Sequence, residues 1–330
     1  MPKLLTVLLN YRTPDMTIRA AKAALVALQG LDAELVIVDN ASGDGSFEAL
    51  RTAARDWPGV RVIQSGRNGG FGAGNNTGIR AGMADGSRPD YVYLLNSDAF
   101  PAPEAIRRLL EHLETHPEAG LAGSFIHGET GDPHITAFRF PSVWSELEGA
   151  ARFGPVSRLL KGKAVPLPLP ERTGRVDWLA GASLMMRQSV LDQIGLFDET
   201  FFLYFEETDL CLRAARAGHE THYVRDSAVA HIGSVSTGMK RWDRIPGYWL
   251  DSRWHYFSKN HGRGTAMLAT LMHAFGGALW RLRMLVQGKA PADPPKFLRD
   301  LIVHDFKAVF RPLPTRRAAS MDAAEAKWSD

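Results

Sequence analysis

The chain has 330 residues, 45% apolar and 23% charged, with a formal net charge of only +3. That length suits one large α/β domain with an appendage or two modest domains, and so ordinary a composition excludes wholesale disorder. Scattered Lys and Arg argue against nucleic acid as a partner, and a single cysteine, Cys211, excludes an intrachain disulfide and fits a reducing compartment.

Leu4 to Leu9 is a continuous apolar run, as expected of a strand buried on both faces. It is too short for a signal-peptide core and ends in Asn10-Tyr11-Arg12, so a cytoplasmic location is expected. Thr13-Pro14 predicts a helix start, with Thr13 as N-cap and Pro14 at the first helical position. Ile18, Ala21, Leu25 and Leu28 then recur at helical spacing, and Gly30 closes the helix. Glu34 to Val38 reads as a strand, Phe47 to Ala54 as a helix and Val60 to Gln64 as a short strand. A Gly/Asn-rich turn from Gly66 to Asn76 leads into a helix through Met83. Tyr91 to Leu95 is a further strand and Glu104 to Thr115 an amphipathic helix. Strands alternating with helices predict parallel βαβ units in a doubly wound sheet.

Gly128 to Pro170 is punctuated by Pro141, Pro155, Pro166, Pro168 and Pro170 and reads as a long loop near a binding face. Trp178 to Met186 and His219 to Val224 are expected strands, and Glu207 to Ala217 a helix stopped by Gly218. Beyond Gly238 the pattern is helical, over about Ile245 to Asn260, Thr265 to Val286 and Pro295 to Phe310, with a polar, frayed tail from Pro312. The expected division is a catalytic domain over 1–238 and a helical extension over 239–330.

Ligands of open parallel sheets sit outside the carboxyl ends of the strands. Here four such ends in succession are polar: Asn10-Tyr11, then Asp39-Asn40-Ala41-Ser42-Gly43-Asp44, then Arg67-Asn68-Gly69-Gly70 onward to Asn76, then Asn96-Ser97-Asp98. One such turn is ordinary turn chemistry; four on one rim point to a polar ligand. The first turn has no glycine, so it lacks the dinucleotide fingerprint, and the chain has no phosphate-loop motif. A divalent metal is then the natural means of neutralising a diphosphate. Asp98 is its candidate holder. His231 is either a second ligand or a core histidine.

Phe201-Phe202-Leu203-Tyr204-Phe205 runs into Glu206-Glu207-Thr208-Asp209 at a helix start. Acids favour a first turn, and Asp209 has Arg213 four residues on, a structural pair. Glu206 and Glu207 have Leu210 and Cys211 at that spacing and no local cation. A carboxylate beside an aromatic wall has its pKa raised, which suits a general base.

These segments, with Trp178-Leu179-Ala180-Gly181-Ala182 and Phe197-Asp198-Glu199, resemble the inverting family 2 glycosyltransferases of the GT-A fold, and especially the bacterial rhamnosyltransferase branch, over roughly Leu4 to Gly238. The resemblance implies that Asn10, Tyr11 and Asp39 contact the donor nucleoside. Arg67, Asn68, Gly70 and Asn75 would lie near base, ribose and diphosphate, with Asn96 also on the donor side. Asp98 matches the last acid of the metal motif and His231 the late histidine that completes the metal site in some members. Glu207 matches the catalytic base, with Glu206 as the alternative, and Trp178, Gly181 and Ala182 fall at the sugar and acceptor. Two departures stand out: Asn96 replaces the first acid of the metal motif, and Glu207 stands where many relatives carry Asp. The implied reaction is inverting transfer of a sugar from dTDP-rhamnose or a UDP-sugar, with Mg²⁺ or Mn²⁺, to a glycan or polyprenyl-linked acceptor.

Two other readings stay open. A sugar-phosphate nucleotidyltransferase would carry a basic, glycine-rich loop after the first strand, which Asn10-Tyr11-Arg12-Thr13 does not supply. A non-catalytic carbohydrate-assembly protein is favoured by Asn96 and opposed by Asp98 and Glu207. The 16 or so mostly uncharged residues from Thr265 to Trp280 fall short of the ~20 that span a bilayer. With Trp280, Arg281, Arg283 and Lys289 near head-group level they suit an interfacial helix; a packing or dimer face, or a true span, are the alternatives.

Overall fold

The computed structural model describes residues 1–233, 242–290 and 293–311. The expected domain boundary at Gly238 and the tail from Pro312 lie outside them. In chain order the first half comprises β1 (Lys3–Asn10), α1 (Pro14–Ala27), β2 (Asp32–Asp39), α2 (Ser46–Ala53), β3 (Val60–Gln64), α3 (Gly70–Ala81), β4 (Tyr91–Asn96), β5 (Ala99–Pro101), α4 (Ala105–Thr115) and β6 (Ala119–His127). There follow β7 (Ala137–Phe138), α5 (Val143–Ala151), α6 (Gly154–Leu159), β8 (Gly174–Val176), β9 (Trp178–Leu179), β10 (Ser183–Arg187), α7 (Gln188–Ile194), α8 (Glu206–Arg216) and β11 (Glu220–His231). Three helices end the described chain: α9 (Gly247–His261), α10 (Arg263–Val286) and α11 (Phe297–Val309).

The main sheet runs β3-β2-β1-β4-β10-β6-β11-β5, with β8 also on β11. β1 to β4 are parallel, as is β6 with β11, while β10 is antiparallel to both its neighbours. The apolar runs explain the layering. Leu4 and Leu8 of β1 pack with Ala20, Ala24, Leu50 and Leu109 on one face; Leu5 and Val7 pack with Ile79, Leu191 and Leu210 on the other. Both faces are covered by helices, which requires strands apolar on both sides.

Several expectations need correction. Thr13 caps α1 only through its backbone; its hydroxyl donates to Ser97 Oγ (3.2 Å) on the neighbouring strand end. The glycine-rich stretch is not a turn before a helix, because α3 begins at Gly70. A Cβ on Gly78 would lie 2.4 Å from Val7, and one on Gly74 2.5 Å from Leu9, so these glycines let the helix lie against the sheet. Trp178 to Met186 is broken at Ala180–Ala182, where the chain leaves the small β7-β9 sheet for the main one. The prolines of 128–170 flank rather than interrupt helices: Pro141 precedes the Ser142 capping box of α5, and Pro155 sits in the first turn of α6. β6 was hidden by Gly120 and Gly123, whose missing side chains admit His219 and Leu179. Trp280 is buried beneath the Arg152 guanidinium rather than exposed.

Candidate active site

The parallel register brings the polar strand ends together: Asn10 lies opposite Asp39, and Leu9 opposite Asn96. Asn10 is fully buried, donating to Asp39 Oδ1 (2.8 Å) and Ser42 Oγ (3.2 Å) and accepting from Thr17 Oγ1 (2.7 Å). Ser42 Oγ donates to Asp39 Oδ1 at 2.5 Å. With its polar atoms taken by the chain, Asn10 braces the rim from below. Tyr11 carries the Arg12 guanidinium over its ring (5.1 Å), and Arg12 and Ala41 both hold left-handed backbone at these strand ends.

Asn40, at the end of β2, has an unmet hydrogen-bonding atom at this rim. Its Nδ2 donates to Asn68 Oδ1 (3.0 Å) and the Gly70 carbonyl (3.2 Å), while its buried Oδ1 has no partner. Arg67 is half-exposed and paired with Glu199 at 3.3 Å. Gly70 holds a φ of +87°, and a Cβ there would lie 1.8 Å from the Phe202 carbonyl oxygen. Asn75 turns its amide to the Phe71 carbonyl (3.0 Å). Asn76 clamps Phe197 by donating to its carbonyl (2.9 Å) and accepting from its N–H (3.1 Å). The start of α3 therefore holds the aromatic loop that precedes α8.

That loop enters α8 through two consecutive non-glycine residues in left-handed conformation, Tyr204 (φ 70°) and Phe205 (φ 69°). Such backbone strain collects where surrounding structure fixes it, commonly at active sites. Glu206 and Glu207 follow at once. Glu206 is buried with Oε2 unpartnered, and burial followed by repulsion from Glu207 pushes its pKa well up. Burial also raises Glu207, whose Oε1 accepts the Gly181 N–H at 3.1 Å. No ion pair reaches either glutamate among the described residues. Asp209, by contrast, takes Arg213 (2.8 Å), Lys259 (2.8 Å) and Asn260 (2.9 Å), tying α8 to α9.

The Ala180–Ala182 turn links this helix to the Asn96-Ser97-Asp98 strand end. Gly181 donates to Glu207, and the next residue, Ala182, accepts the Asn96 N–H at 3.1 Å. Two residues beyond Asn96 stands Asp98, mostly buried, with Oδ1 3.0 Å from His231 Nε2. β5 and the end of β11 fix that pair, since Ala99 lies opposite His231. Trp178 lies farther back on β9, stacked on Phe138 at 4.2 Å with its indole N–H on the Arg139 carbonyl. A carboxylate beside an imidazole suits Mn²⁺ or Mg²⁺ when phosphate oxygens and water fill the remaining positions. Among the described residues no group of three or more His, Cys, Asp or Glu that could hold a metal ion is present.

The sequence matches the profile described as "Glycosyl transferase family 2" over residues 10–165, and that of "Glycosyl transferase family group 2" over residues 91–292. The N-acetylglucosaminyl-diphospho-decaprenol L-rhamnosyltransferase of Mycobacterium tuberculosis is 32% identical over 219 residues, 62% of this chain and 68% of that protein. Rhamnosyltransferase WbbL of Escherichia coli is 28% identical over 178 residues, covering 53% and 65%. In structure the chain is similar to the mannosyltransferase PcManGT from Pyrobaculum calidifontis, solved with GDP-Man and Mn²⁺. The TM-score is 0.54 at 14% identity, over 94% of this chain and 81% of that one. The S. aureus TarS structure with UDP gives a TM-score of 0.52 at 13% identity, over 86% and 72%. Fold, rim and matches define a class, the nucleotide-sugar-dependent glycosyltransferases of glycan synthesis. The chain belongs to glycosyltransferase family 2 and has the GT-A fold.

Proposed function

We propose that the protein transfers rhamnose, from dTDP-rhamnose, with inversion, onto a hydroxyl of a polyprenyl-linked glycan in cell-surface polysaccharide synthesis. The sugar and acceptor class follow the named activity of the mycobacterial relative. The observation that carries the chemistry is the contrast between the two glutamates. Glu207 receives an N–H from Gly181, which favours its ionised form, whereas Glu206 has an orphaned oxygen in the interior. A proton held by this pair therefore resides on Glu206, leaving Glu207 free to accept the proton of the acceptor hydroxyl as its oxygen attacks the anomeric carbon. General-base assistance of this kind is worth about 10²–10⁴-fold. Asp98 and His231 would hold Mg²⁺ or Mn²⁺ against the donor diphosphate, where the bound ion neutralises charge on the leaving nucleotide. Tyr11, Asp39, Arg67, Asn68 and Asn96 would line the donor side, with Asn10, Gly70 and Asn75 holding its shape. Gly181 and Ala182 would face the transferred sugar, with Trp178 stiffening the wall behind them.

The test is a panel of nucleotide sugars assayed with Mn²⁺ against the wild type, Glu207→Gln and Asp98→Asn. dTDP-rhamnose should be preferred. Glu207→Gln should lose about 10²–10⁴-fold in turnover while calorimetry with the nucleoside diphosphate is unchanged, whereas Asp98→Asn should weaken the Mn²⁺-dependent part of that binding. Near-normal turnover by Glu207→Gln would remove the base assignment, and a preference for another donor would remove the rhamnosyl reading.

A further inference from the structure

The C-terminal helices present an apolar surface that the catalytic site does not use. On α10, Leu268, Leu271, Phe275, Leu279, Leu282 and Leu285 are all exposed, and their spacing of three and four places them on one face. The opposite face of α10 is packed: Gly276 lies against α5, Gly277 against Leu298 of α11, and Thr270 against Arg253 of α9. On α11 and its C-cap, Ile302, Val303, Phe306 and Phe310 are exposed likewise, while His304 and Asp305 bond to Asp251 and Arg253 of α9. Both stripes thus turn away from α9. Exposed apolar surface on this scale marks an interaction site.

Charge says what covers it. Residues 263–311 hold eight Lys and Arg against three Asp, in a chain whose whole net charge is +3. The three acids are consumed internally: Asp293 by Arg152 and Arg281, Asp300 by Arg244, and the buried Asp305 by Arg253. Lys289, Lys296, Arg299, Lys307 and Arg311 are exposed. An apolar face flanked, among the described residues of 263–311, by exposed cations and by no acid without a partner is matched to an anionic lipid surface, whereas a second copy of the same face would set like charges together. No helix among the described residues is long and apolar enough to cross a bilayer, so α10 would lie on the membrane rather than through it.

The geometry points to α10 and α11 as a two-helix platform that docks the enzyme on an anionic bilayer. Its purpose rests on the reading above, because a polyprenyl-linked acceptor is held in a membrane. The experiment is independent of that reading: full-length protein, without donor or acceptor, is sedimented with vesicles of phosphatidylglycerol and phosphatidylcholine, or of phosphatidylcholine alone. Binding should require phosphatidylglycerol and fall with salt. Leu271→Glu/Phe275→Glu and Phe306→Glu should each release the protein with its circular dichroism unchanged. Lys289→Glu/Lys307→Glu should weaken partition by about fivefold or more for each charge. Failure of the wild type to sediment, binding that ignores lipid charge, retention by the apolar variants, or a concentration-dependent dimer abolished by Phe275→Glu without vesicle binding would each overturn it. The apolar variants should keep transfer to a water-soluble acceptor. Loss of vesicle binding is therefore distinguishable from loss of the proposed reaction.

Discussion

Replacing Gly181 by alanine perturbs the proposed base without touching its carboxylate chemistry. No left-handed backbone is required at this position, so the effect is steric. The added Cβ would stand 2.8 Å from Glu207 Oε1 and 2.9 Å from the Phe71 ring. A carbon and an oxygen at rest are held beyond about 3.4 Å, so the carboxylate must retreat by about half an ångström or more. Misplacement of a reacting group by about 1 Å costs about 10²-fold, so half that distance predicts a fall in kcat of about tenfold. Overpacking should cost about 1–3 kcal/mol of stability, leaving the protein folded. The assay is steady-state release of nucleoside diphosphate, with donor affinity from calorimetry and folding from a thermal melt. Gly149→Ala is the control, since its Cβ meets nothing within 4 Å and it lies inside α5. It should leave turnover unchanged and stabilise the helix by about 0.5–1 kcal/mol. Wild-type kcat in a folded Gly181→Ala enzyme would refute the placement of Glu207 against this turn.

Burial raises Glu207, so the acidic limb of kcat/KM should lie above the ordinary glutamate value of about 4.3, with activity lost as pH falls through that limb. A limb at the ordinary value would show that another group is the base. Glu206 gives a stability test with a definite sign. Its folded pKa is raised, so between the ordinary value and the folded one the native state keeps a proton that the unfolded chain has lost. Its stabilising contribution is complete below the ordinary glutamate pKa and is lost as pH rises through the folded pKa, at up to about 1.4 kcal/mol per pH unit. Glu206→Gln should flatten that decline in denaturant melts taken across pH, and an unchanged slope would show that Glu206 is not the buried titrating group.

Residue order alone makes the local elements and the polarity of the rim legible. Leu4–Leu9 reads as a strand buried on both faces and Glu34–Val38 as a second strand, and polar residues at four successive strand ends point to a ligand side, because apolar runs and turn chemistry are local properties. What each polar residue is free to do depends on packing. Asn10 proved to be saturated by Asp39, Ser42 and Thr17, and Asn40 to carry the unmet oxygen, a difference that depends on strand register rather than residue type. The glycines of α3 read as a ligand turn, yet Gly74 and Gly78 lie against Leu9 and Val7, which only packing could reveal. Strand β6 was invisible because its Ala and Gly residues have no intrinsic strand signal; long-range pairing with β10 and β11 makes it a strand. The approach of Glu207 to Gly181, and of Asp98 to His231, joins residues 26 and 133 positions apart, and local physics carries no information across such separations.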